Sequence, residues 1–305
     1  MVKRLLLGPV MILLVLVLCT LDQWLDRLPT PAGLAWLLGG PTLPPGIVVA
    51  VICNLLAFGG AYELAEMLRK KGVLASSRLA GVSALLGMLA MTTALVPTMR
   101  DLTAPAMASA AALSLVLAQI VYSRGQTVAG AITSSAGTVL GVIYLGFMLG
   151  CLLLIRAEHS VWVMMWALLT TKSSDIGAYF TGRAMGRNKL ILWLSPGKTW
   201  EGLVGGTLFA GLVGIGGLWL IDRWTDVAVP PLWTGFIAGM LFSLVGQLGD
   251  LGESLYKRDA GMKDSGQSLP GFGGLLDVLD SLILVSPVAY WWLRIVHPAF
   301  EPAAP

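Results

Sequence analysis

The sequence predicts an all-α, polytopic integral membrane protein of about nine transmembrane helices, with a cytoplasmic N-terminus and an external C-terminus. Three observations predict it. Of 305 residues, 56% are hydrophobic and only 12% charged, where soluble globular domains carry about 25% charged residues. Mean hydropathy is +0.80, and the apolar residues fall in runs long enough to cross a bilayer. Lysine and arginine are distributed unevenly among the connecting segments, which sets the orientation.

The start, MVKRLLLGPVMILLVLVLC, has the basic tip and apolar core of a signal peptide. No small-residue cleavage site is clear after Cys19, so a retained first helix is expected over 5–22. Residues 24–45, rich in Pro and Gly, form the longest loop outside the C-terminal half. Apolar windows place further helices at 46–68, 79–99, 104–122 and 127–154. The last of these is long and glycine-interrupted, and is expected to be tilted or broken. Four more are expected at 160–181, 201–221, 232–250 and 280–296. Cys19, Cys53 and Cys151 lie inside apolar runs with no C-x-x-C spacing, which points to buried thiols rather than a disulfide framework or zinc site. Polarity divides the chain into anchoring helices (1–158), a catalytic membrane region with a cytoplasm-facing polar cavity (159–298) and a short tail (299–305).

With the N-terminus inside, fourteen lysines and arginines fall on cytoplasmic segments, among them Arg69, Lys70, Lys71 and Lys198. Only Arg27, Arg100, Arg156, Arg223 and Arg294 fall outside. This bias argues for an odd helix count. It also places SPGKTWEG (195–202) and residues 251–279 in the cytoplasm, where nucleotides are available.

The G-K-T of SPGKTWEG is not a P-loop. The motif G-x-x-x-x-G-K-[ST] requires a glycine five residues before Gly197, and that position is Leu192. Pro196 also lacks an amide hydrogen to offer a phosphate. What remains is Lys198 and Glu201 beside the start of a helix that Thr199 can cap, a place where unpaired amides favour an anion.

Two other polar clusters lie at the cytoplasmic ends of the later helices. In TKSSDIGAYFTGRAMGR (171–187), Lys172 and Asp175 are one turn apart and Tyr179 shares the face of Asp175. A structural Lys172–Asp175 pair is the plain reading; an ionisable residue near a span is a functional candidate. In QLGDLGESLYKRDAGMKDSGQSLPGFGGLLDVLDS (247–281), a helix continuing past the membrane aligns Gln247, Asp250, Ser254 and Lys257 as one polar stripe. Lys257, Arg258 and Lys263 then crowd one short segment, and Asp277 and Asp280 share a face as the last helix begins. Convergent carboxylates beside cations suit a divalent metal bound to a polyphosphate. Hard oxygen ligands suit magnesium, which binds through one or two carboxylates plus substrate phosphates.

Residues 254–280, SLYKRDAGMKDSGQSLPGFGGLLDVLD, resemble the signature of the phosphatidate cytidylyltransferase (CDP-diacylglycerol synthase) family. Ser254, Lys257, Arg258, Lys263, Asp264, Gly266, Leu269, Pro270, Gly273, Gly274, Asp277 and Asp280 match it in register. Phe272 stands where the pattern has His, and Val278 where it has Arg. DIGAYFTGRAMG and SPGKTWEG resemble the family's other recurrent motifs, in the same order. The resemblance covers about residues 160–290.

It implies an enzyme of phospholipid biosynthesis converting CTP and phosphatidic acid to CDP-diacylglycerol and pyrophosphate. It implies Asp250 and Asp277 as metal ligands, for Mg2+ and a second cation of unassigned identity, with Asp280, Ser254 and Lys257 close by. Lys198, Arg258 and Lys263 would hold nucleotide and lipid phosphates, with Lys172 and Asp175 lining the same cavity and Asp264 contributing to substrate binding. The expected setting is a bacterial cytoplasmic membrane with the site facing the cytoplasm. The expected partners are the two substrates and the bilayer, not nucleic acid, and a homodimer is compatible with the sequence. The transfer needs positioning and charge neutralisation more than a covalent nucleophile. A phosphate monoester is already ionised at neutral pH, so no general base is demanded and Phe272 is tolerable.

Three other readings compete with this one. A CTP-dependent lipid kinase, acting on dolichol or phytol for example, would also use CTP, a metal and a membrane cavity. A CDP-alcohol phosphatidyltransferase needs a D-G-x-x-A-R-like run, which this chain lacks. A transporter places its carboxylates deep in broken helices, whereas here they cluster at helix ends with lysines between them.

Overall fold

The computed structural model describes residues 2–124, 128–227, 229–268 and 273–296, with side chains from residue 13 onward. Leu269, Pro270 and Phe272 of the signature, and the expected tail at 299–305, lie outside the described residues. Within them the chain is predominantly helical. The long helices are α1 (Val2–Leu25), α2 (Ile47–Lys70), α3 (Ser77–Thr92), α4 (Thr103–Ser123), α5 (131–158), α6 (Val161–Met185), α7 (Trp200–Trp224), α8 (Leu232–Asp259) and α9 (Leu276–Val296).

Among the described residues, seven helical stretches are long and apolar enough to cross a membrane: α2, Ser77–Leu95 (α3 with the turn after it), Pro97–Ser123, α5, α7, α8 and α9. The described side chains of α1 form a shorter apolar helix, Leu13–Leu25. α6, which carries Lys172 and Asp175 along its length, is not among the seven.

Several expectations about individual elements change. α3 stops at Thr92 rather than 99 and continues as two short 3-10 turns. Val96 precedes Pro97 and is extended (φ −98°, ψ 114°), as the proline ring demands of its neighbour. α5 is not broken: it runs through a π-helical segment, Val142–Met148, which absorbs the irregularity that its glycines announce. The chain is not purely helical, because Lys189–Ile191 (β1) and Ser195–Thr199 (β2) form an antiparallel ribbon. SPGKT is thus a strand rather than a loop; in a two-stranded ribbon both strands are edges, so Pro196 is tolerated.

The chain divides into two compact units. The first is Met1–Val161 with Asp259–Val278, and the second is Trp162–Arg258 with Leu279–Pro305.

In the first unit α3 packs on α2, α4 and the π segment of α5. Met88, Met91, Leu145, Leu149 and Leu153 fill the contact and are fully buried. The loop after α1 is tied down by charge. Arg156 of α5 donates from Nε to Asp22 Oδ2 at 2.7 Å and from a terminal nitrogen to Asp26. Asp22, itself wholly buried, also accepts from the amides of Val48 (2.9 Å) and Val49 (3.3 Å) at the start of α2. A buried carboxylate is tolerated only when paired and hydrogen-bonded in this way.

In the second unit the Trp166 indole of α6 donates to Gly214 O of α7 at 2.9 Å. A buried hydroxyl pair, Thr207 and Ser243, joins α7 to α8 at 3.1 Å. Thr199 ends β2 and caps α7, its hydroxyl accepting from Gly202 N at 3.1 Å. Glu201 reaches back to Asn188, accepting from its side-chain amide at 2.7 Å, which holds the ribbon against the first turn of α7.

Candidate functional site

α8 extends to Asp259, nine residues past the expected end, so the stripe of Gln247, Asp250, Ser254 and Lys257 stands on one continuous helix. Gln247, Ser254 and Lys257 are buried and Asp250 is half-buried. Glu253, which the sequence reading did not single out, is on the same helix and is fully buried.

Within the second unit, Asp250 and Glu253 of α8 and Asp280 of α9 bring one oxygen each to within 4.8 Å of one another. Three carboxylates this close repel unless cations intervene. Three lysines do so, one for each acid. Lys198 Nζ, from β2, lies 2.5 Å from Asp250 Oδ2. Lys257 Nζ lies 2.5 Å from Glu253 Oε2, one turn along α8. Lys172 Nζ, from α6, donates to Asp280 Oδ1 at 3.2 Å and to Ser281 Oγ at 2.7 Å.

The expected Lys172–Asp175 pair exists at 4.0 Å, but Asp280 is nearer to the ammonium group. Asp280 Oδ1 also accepts from Ser281 N at 2.5 Å. A cavity of about 190 Å³ opens beside this array, lined by Asp175, Tyr179, Gly197, Lys198, Thr199, Gln247 and Asp250 among others. The donor set is all carboxylate oxygen, which fits magnesium and not a thiolate- or imidazole-seeking metal.

The remaining signature residues belong to the first unit, apart from Arg258, which is exposed near the end of α8. Lys263 and Asp264 are exposed and line a second cavity of about 470 Å³ with Glu66, Lys70, Ser265 and Gln267. Asp277, in the first turn of α9, accepts through Oδ2 from Gly274 N (2.8 Å) and Ser265 N (3.0 Å). Its carboxylate therefore folds the signature back on itself.

The two signature glycines have separate physical reasons. Gly273 has φ +97°, a conformation that side chains resist. At Gly274 a Cβ would collide with Ser265 Oγ, Gly266 N and Glu63 Oε2.

Glu63, on α2, is the second acid that the sequence reading passed over. Buried in a helix otherwise read as an anchor, it accepts four hydrogen bonds from this same segment. The available signal was its charge inside an apolar run; the sequence offered no hint of its partners.

The sequence model of the Cytidylyltransferase family matches residues 32–296. Among curated proteins, a phosphatidate cytidylyltransferase of Synechocystis sp. is 40% identical over 157 residues, covering 51% of this chain and 47% of that one. A phosphatidate cytidylyltransferase of Brucella suis biovar 1 is 40% identical over 166 residues, 54% of this chain and 59% of that protein. An Escherichia coli protein named uncharacterized protein YnbB is 36% identical over 194 residues, 57% of this chain and 60% of its own. The chain thus matches about half the length of these relatives.

Proposed function

The chain belongs to the Cytidylyltransferase family, and we propose that it is a phosphatidate cytidylyltransferase, forming CDP-diacylglycerol and pyrophosphate from CTP and phosphatidic acid. The single observation that carries this reading is the array of three carboxylates, Asp250, Glu253 and Asp280, each matched by a lysine, with Asp250 and Lys198 in the wall of a cavity.

An oxygen of the phosphatidate phosphate attacks the α-phosphorus of CTP, and the bond from that phosphorus to the β-phosphate oxygen breaks in line. The nucleophile is already an anion near neutral pH, so no side chain has to remove a proton. The chain's task is to hold two anions together and to receive charge on the leaving pyrophosphate. Lys198, Lys257 and Lys172 are placed for that work, because each already carries a carboxylate contact that a phosphate oxygen can replace. Asp250, Glu253 and Asp280 would hold magnesium, which when bound supplies charge stabilisation at phosphoryl oxygens. Asp277 is assigned as a further metal ligand, and Arg258, Lys263 and Asp264 as substrate-binding residues, on the signature resemblance. Thr199 and Gly202 put the N-terminal amides of α7 beside the cavity, a favourable place for a phosphate.

The reading includes nine membrane spans, with α1 and α6 added to the seven, a cytoplasmic N-terminus and an external C-terminus. The charge bias of the connecting segments supports it, and it turns Lys198 and Lys257 toward the cytoplasm of a bacterial cell. The test is pyrophosphate release by purified protein given CTP, magnesium and phosphatidic acid. Release that depends on all three is expected; silence across varied lipids and cations overturns the assignment.

A further inference from the structure

Glu63 sits in α2, about two hundred residues before the signature, and is 7% exposed. Its carboxylate is used at both oxygens. Oε2 accepts from Ser265 Oγ (2.8 Å) and Leu276 N (2.9 Å). Oε1 accepts from Ser268 Oγ (2.5 Å) and Leu275 N (2.8 Å). One hydroxyl and one amide therefore reach each oxygen, and the four donors come from both flanks of the signature segment.

The two amides are those at the start of α9, where an anion satisfies unpaired donors and complements the helix dipole. Gly266 and Gly274 let the backbone approach, since a Cβ at either would fall against the Glu63 carboxylate. Asp277 closes the same knot from the other side, through Ser265 N and Gly274 N.

A charge inside an apolar helix is costly, and ordinary anchoring of α2 does not require one. What the charge achieves is the fixing of a polar segment that carries Lys263, Asp264 and Asp277. We propose that Glu63 is a positioning residue: its carboxylate clamps residues 265–268 to residues 274–276 and thereby sets the Asp277 carboxylate for cation binding. The clamp is a matter of geometry alone; its consequence for cation binding rests on the function proposed above.

The experiment compares the full-length protein with Glu63→Gln in detergent, by amide hydrogen exchange and by pyrophosphate release at varied magnesium. A glutamine keeps the volume but presents an NH2 group to two of the four donors. Exchange at residues 274–276 should accelerate by about tenfold or more, the scale of a lost hydrogen bond to a charged group, while α3 and α4 exchange as before. The magnesium concentration for half-maximal rate should rise by about 10–100-fold. Asn54→Ala, nine residues earlier on the same helix, where its side chain bonds the Ala50 carbonyl, should do neither. Should Glu63→Gln fail to fold, Ser265→Ala with Ser268→Ala removes two donors without touching the charge and should move both readouts the same way.

Unchanged exchange at 274–276 overturns the clamp. Faster exchange with an unchanged magnesium requirement overturns the positioning role. If the unmodified protein releases no pyrophosphate, the proposed reaction falls, and the exchange measurement still decides the clamp.

Discussion

Lys198 Nζ and Asp250 Oδ2 are 2.5 Å apart, joining the end of the β-ribbon to α8. The contact gives SPGKTWEG its meaning. The lysine is not a P-loop lysine, and the segment reaches it as a strand whose last residue caps α7. The pair holds a cation against a carboxylate at the wall of the 190 Å³ cavity, the arrangement a polyanion with its own cation can displace.

Lys198→Met should therefore leave a folded protein with badly impaired turnover. Loss of one preorganised group that stabilises developing charge costs about 10²–10³ in kcat. Steady-state pyrophosphate release measures it, and a rate near that of the unmodified protein would remove Lys198 from the mechanism.

The carboxylate array makes a separate prediction about metal. Chelation should abolish activity and magnesium should restore it. Asp250→Asn, Asp277→Asn and Asp280→Asn should each abolish turnover without loss of folded protein. Glu253→Gln, which removes the third carboxylate of the same array, should abolish turnover as well. Full activity in Asp250→Asn would refute the assigned ligand set.

Parts of this site were legible in the sequence because they are local. Gln247, Asp250, Ser254 and Lys257 obey helical spacing, so a single assumption, that α8 continues to Asp259, aligns them. Asp277 and Asp280 share a face for the same reason. Glu253 was equally local, at i+3 from Asp250 and i−4 from Lys257, and the same wheel contained it. The ribbon was not legible: strands of three and five residues, one holding Pro196, are too short for an alternating pattern to register. Glu63 and Arg156 were unreadable for a different reason. A charge in an apolar run announces that a partner exists, but Ser265 is 202 residues from Glu63 and Asp22 is 134 residues from Arg156. Only the fold names them.

Phe272 replaces a signature histidine, and the proposed reaction needs no imidazole because its nucleophile is already ionised. Phe272→His should leave turnover unchanged in the pyrophosphate assay. A large gain would show that a proton-transfer or phosphate-binding function is impaired in this chain, and would overturn the argument that no base is required.

The remaining prediction concerns stability. Arg156 is almost wholly buried and contacts both Asp22 and Asp26, and Asp22 has no exposure of its own. Arg156→Met leaves two carboxylates facing each other without a cation, and breaking a buried pair from one side costs about 3–5 kcal/mol. Arg156→Lys should recover only part of this, because one ammonium does not reproduce a planar fork aimed at two acids. Making Asp22 apolar as well should not restore stability, although such replacements are often neutral elsewhere. Asp22 also accepts from the amides of Val48 and Val49, and those donors at the start of α2 would be left bare. Arg156→Met with Asp22→Asn keeps an acceptor for them and should be the more stable double variant. Thermal unfolding in detergent ranks the four variants against the unmodified protein, and an unfolding temperature for Arg156→Met equal to that of the unmodified protein would refute the network's role.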